Sequence, residues 1–114
     1  MAGIVGTFQM RLLVTELPDQ PGGYCHISNI SGGAGWYLGG NNPGGLWKVD
    51  LQYFGSYAGF LAGEPPIDVS NIYYPDMSAK IAQEIFVPYV PNADPYGDAM
   101  NVLQSWWPTG EVKS

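Results

Sequence analysis

The residues able to do covalent chemistry are few. The chain holds one cysteine and one histidine, Cys25 and His26, and they are neighbours. A cysteine nucleophile needs a base within hydrogen-bond reach to take its proton. The segment Tyr24 to Ile30 reads as a β-strand, and successive side chains of a strand point to opposite faces. Adjacency therefore separates the pair. The pattern predicts Cys25 as a small buried hydrophobe beside Ile27, and His26 as an exposed, titrating imidazole beside Tyr24.

The same two residues cannot assemble the three or four ligands of a zinc site. Calcium has one candidate loop, Asn92 to Asp98, in which Asn92, Asp94 and Gly97 fall on the first, third and sixth positions of a calcium-binding loop. The fifth position is Tyr96 and the twelfth is Leu103, where a bidentate Glu belongs. A turn feeding a helix N-cap accounts for the same residues. The glycine-rich segment Gly32 to Gly45 lacks the Lys-Ser/Thr of a phosphate loop and runs into a strand where such loops open a helix. No pair among the ten acids stands out for acid–base work. The expectation is a chain with no catalytic residue, no metal and no cofactor.

Charge narrows the partners further. Ten acids against four bases give a formal net charge of −6, and Arg11, Lys48, Lys80 and Lys113 are scattered singly. Binding to nucleic acid or to an anionic membrane requires clustered bases, so neither is expected. Residues Met1 to Met10 lack the basic start and continuous apolar core of a signal peptide, and no run reaches the roughly 18 apolar residues of a membrane span. These features, with a lone cysteine, predict a protein made in a cytoplasm and not exported by a signal peptide.

What remains as binding chemistry is aromatic. Only 12% of residues are charged, about half the usual share of about 25%, while four Trp and eight Tyr are present. Several rings stand next to glycine or proline, or next to each other, where extended backbone turns one of two neighbours outward. Trp36, Tyr37, Tyr73, Tyr74, Tyr89, Tyr96, Trp106 and Trp107 are the interface candidates. Such rings bury large area with little loss of entropy.

The elements that must carry these rings are mostly strands. From Thr7 to Glu16, Phe8, Met10, Leu12 and Val14 alternate with Thr7, Gln9, Arg11 and Thr15, with Leu13 on the outer face. Trp47, Val49, Leu51 and Tyr53 alternate with Lys48, Asp50 and Gln52 in the same way, and Tyr57 to Leu61 reads as an extension of that strand. Twelve of the sixteen glycines lie between Gly22 and Gly63, which predicts long turns over 31–46. Ile67 to Tyr74 reads as a further strand. Met77, Ile81 and Ile85 recur every fourth residue, predicting a helix over about 76–87 with Asp76 as N-cap. A second helix over about 98–107 follows from Ala99, Val102, Leu103 and Trp106. The sum over 1–114 is one domain, mainly β, with an antiparallel sheet or small sandwich or barrel over about 7–74, glycine-rich loops and two short C-terminal helices.

Taken together, these features lead to a non-enzymatic structural or assembly protein that binds a protein partner, in a larger assembly or as a homo-oligomer. A small virion component, such as a capsid-decorating (cement) protein of a bacteriophage, is the leading form of that expectation. The alternatives are an acidic inhibitor of a basic host protein and a carbohydrate-binding module stacking Trp36, Trp47 or Trp106 on a sugar ring.

Overall fold

A computed structural model of the chain describes residues 2–12, 15–16, 20–36 and 44–113, with side chains described over 2–10, 22–36 and 44–113. The fold is mainly β: one antiparallel sheet carrying two short helices. Its centre is a meander of three long strands, β1 (Gly3–Leu12), β3 (Gln20–Ala34) and β4 (Gly45–Phe54), with the two-residue β2 (Thr15–Glu16) folded back on the end of β1. The expected strand over 7–16 thus starts four residues earlier, and its positions Leu13 and Val14 lie outside the described residues.

The alternation that predicted these strands is what sorts their side chains. Ile4, Cys25 and Tyr53 stand opposite one another across β1, β3 and β4 and are wholly buried on one face. Val5, Tyr24 and Phe54 form the adjoining row on the other. A bulge at Ser28 shifts the register between Ile27 and Asn29, and the Ser28 hydroxyl donates to the Asp50 carbonyl at 3.0 Å. Strict alternation would turn Ile30 outward after Cys25 and Ile27. The extra residue brings it back to the core face, opposite Val49.

Beyond β4 the structure departs from the expected order. Residues 57–61 form a helix, α1 (Tyr57–Leu61), capped by the Ser56 hydroxyl, which accepts from the Gly59 amide at 2.9 Å. The expected strand at 67–74 contracts to a single 3₁₀ turn (Val69–Asn71) and β5 (Ile72–Tyr73), paired with Gln9 and Met10 of β1. The helix predicted over 76–87 is absent. Residues 74–80 form a loop in which Met77 takes a left-handed φ of 61°, and the chain then crosses the sheet to form β6 (Glu84–Pro88) beside β4. The fourfold spacing of Met77, Ile81 and Ile85 misled because Ile81 is a buried loop residue, while Ile85 and Val87 are buried at a strand's period of two.

The second predicted helix is present as α2 (Pro95–Trp106). Asp94 caps it by accepting the Tyr96 amide at 3.0 Å, and Pro95 occupies the first turn, where no intrahelical N–H is required. Asp94, the third position of the calcium-like spacing, thus serves as a helix N-cap. Helix α2 lies across the core face from β6 to β1, burying Ala99 and Leu103, and β7 (Glu111–Lys113) then pairs with the start of β1. No helix among the described residues is long and apolar enough to cross a membrane.

Candidate functional site

Cys25 and His26 occupy opposite faces of β3, as strand geometry requires. The thiol sits in the main core beside Tyr53, and burial pushes it up to about 12. The expectation of an exposed His26 is corrected: the ring is only 5% exposed. It lies 4.4 Å from Phe60 of α1, centroid to centroid, and its Nδ1 is 3.1 Å from the Tyr24 hydroxyl. Helix α1 thus roofs the second face with Tyr57 and Phe60 over Tyr24, His26 and Phe54. A sequence pattern of two rings three residues apart, Tyr57 and Phe60, was the available signal. Burial of the imidazole lowers its proton affinity, and the Tyr24 hydroxyl is pushed up to about 12, mainly by burial.

The eight aromatic candidates are not brought to one place. Tyr37 lies outside the described residues. Trp36 is 38% exposed, with its ring over Gly32, and Tyr96 is 48% exposed on α2. Tyr89 is half-buried against Trp47, the ring centroids 5.8 Å apart. Tyr73 is half-buried in β5 opposite Gln9. Trp107 is a core residue: its ring packs 5.6 Å from Phe8, and its indole N–H donates to the Thr7 carbonyl at 3.0 Å.

Tyr74 and Trp106 do converge. Their rings meet edge to face, centroids 4.9 Å apart at 70°, and form the corner of an open groove of about 470 Å³. Pro75, Asp76, Ser78, Ser105 and Pro108 complete its lining. These five were not legible as a site because they come from the loop after β5, the last turn of α2 and the turn that follows it, joined only by the tertiary fold. Asp76, expected to cap a helix, closes a turn instead: its carboxylate accepts the Ser78 amide at 2.9 Å. Hydrogen bonds from the Ser78 hydroxyl and amide hold that carboxyl below its ordinary value of 3.8.

Trp106 also walls a second cleft, of about 410 Å³, on its other side. This one opens along the stretch of the β1 edge that no described strand pairs, between β7, which pairs up to Val5, and β5, which pairs from Gln9, where the Thr7 carbonyl accepts the Trp107 indole N–H. Comparison with protein-family models, with curated proteins and with solved structures found no match to this chain. The site is therefore read from its own geometry.

Proposed function

We propose that this chain is a non-enzymatic assembly protein that attaches to a larger protein particle through the Tyr74–Trp106 groove, as a capsid-decorating component of a virion would. The observation that carries this reading is the aromatic corner itself, open to solvent and set on a rigid base. Tyr74 directly follows β5, which is anchored on β1, and Trp106 is flanked by the buried Trp107. Rigid, half-exposed Trp and Tyr side chains are the residue types that dominate binding energy at protein interfaces. Two further observations support it. The one cysteine–histidine neighbour pair is split between faces, with the thiol deep in the core. Lys48 and Lys113 are paired with acids, which leaves Lys80 as the one described lysine without an ion pair among the described residues, too little for charge-driven contact with a polyanion.

The test is zonal sedimentation of the tagged full chain in a lysate of its own source. Co-migration with a large particle, lost in the Tyr74→Ala, Trp106→Ala double variant, is the expected outcome. Migration as a free small protein in both cases would remove the assembly reading.

A further inference from the structure

The groove has a chemical polarity that restricts what can fill it, and the following rests on the docking reading above. Trp106 Nε1 and the Tyr74 hydroxyl make no hydrogen bond among the described residues, in contrast to Trp107 Nε1, which is bonded to Thr7, and the Tyr53 hydroxyl, which is bonded to Ala82. The two serines at the rim are already engaged: Ser105 donates to the Val102 carbonyl, and Ser78 is turned to Asp76. The aromatic walls therefore offer donors to a ligand. The anionic acceptor is the Asp76 carboxylate, which has no cation beside it among the described residues.

A complementary ligand presents carbonyl oxygens along one side, brings few N–H groups that would be left unpaired, and carries a positive charge at one end. An extended proline-rich segment has these properties. Proline lacks an N–H, and the polyproline II helix makes no internal hydrogen bonds, so its carbonyls remain free to accept. Proline-rich segments dock against aromatic-lined grooves, and this corner is made by an indole and a phenol set at 70°.

We infer that the Tyr74–Trp106 groove binds an extended proline-rich segment of a partner protein, with a Lys or Arg of that segment placed at Asp76. The segment passes over Trp106 from the first groove toward the second cleft, which shares Pro75, Trp106 and Pro108 with the first and is further lined by Thr7, Gly22 and Gly110.

The test is a fluorescence and calorimetric titration of the full chain with an acetylated decapeptide built of Pro-Pro-Leu repeats and one terminal Arg. Three comparison ligands are used: the same peptide with norleucine for Arg, a proline-free peptide of the same length and charge, and a neutral oligosaccharide. Saturable binding of the Arg peptide is expected, weakened at least about tenfold by Trp106→Ala, since hot-spot aromatics carry that much. Asp76→Asn keeps an acceptor for the Ser78 amide and so preserves the turn. It should weaken the Arg peptide by about threefold while leaving the norleucine peptide unchanged, the scale of an exposed ion pair. Tyr74→Phe, which removes only the hydroxyl, guards against a misfolded Ala variant and should weaken both proline peptides alike. No binding of the Arg peptide, equal binding of the proline-free peptide, or binding of the oligosaccharide instead would each overturn the inference. If sedimentation still shows Trp106-dependent assembly while the peptide fails, the docking reading stands and this occupant falls. If the peptide binds and no particle is joined, the reverse holds.

Discussion

The indole N–H of Trp107 donates to the carbonyl of Thr7 at 3.0 Å, across a separation of 100 residues. Strand β1 bends at this point, its register against β3 shifting between Gly6 and Phe8, and the Trp107 ring lies over Gly6, where a methyl group would approach the ring carbons to 2.7 Å. One side chain thus ties the end of α2 to β1, the first strand of the meander, and the same anchoring holds Trp106 at the surface.

Trp107→Phe should destabilise the fold by about 2 kcal/mol, because it leaves the Thr7 carbonyl without its donor and shrinks a buried ring. Trp106→Phe, on the half-exposed neighbour, should change stability by less than about 1 kcal/mol. Denaturant unfolding of the two variants separates them. Equal effects would mean that Trp107 is not the anchor.

His26 makes stability depend on pH in a defined window. Its ordinary value is 6.5, and burial lowers it in the folded chain. Between the lowered value and 6.5 the unfolded chain binds a proton that the folded chain refuses, so stability falls as pH drops through 6.5 and levels off below the folded value. Asp68 and Asp76 are depressed from 3.8 by hydrogen bonds, and their contribution, present above that value, is lost only in stronger acid. Unfolding midpoints measured from pH 8 down to about 5 should therefore decline, and His26→Gln should flatten that decline. A flat wild-type profile would show that the imidazole is not buried in solution.

Cys25 should be silent in the native protein. A thiol that is fully buried and pushed up to about 12 supplies almost no thiolate at neutral pH. Labelling by an aromatic disulfide reagent at about pH 8 should follow the unfolding rate and become immediate in denaturant. Rapid labelling of the folded chain would place the thiol at the surface.

Legibility in the sequence followed the range of the interaction. The strand Trp47 to Tyr53 was readable because one buried face forces every second residue to be apolar. The split of Cys25 from His26 needed nothing beyond strand geometry. Helix α1 was not readable: it is five residues long, contains Gly59, and exists because Tyr57 and Phe60 find Tyr24 and His26 on the sheet beneath. The same partnership buried an imidazole that its own neighbours gave no reason to bury. Trp106 and Trp107 look alike in sequence and differ in fate because only one finds the Thr7 carbonyl. The groove depends on such long-range meetings, so its aromatic members could be named from the sequence while Pro75, Asp76, Ser105 and Pro108 could not.

The central claim, that the Tyr74–Trp106 groove is the attachment surface, is tested most directly by site-specific photo-crosslinking. A benzophenone amino acid is placed at Ser105, inside the groove, or at Leu61, which is 66% exposed on α1 at the opposite face of the sheet. Irradiation of the particle-bound protein should join the chain to a particle subunit from position 105 and leave it unlinked from position 61. Crosslinks from position 61 alone, or equally from both, would contradict the account.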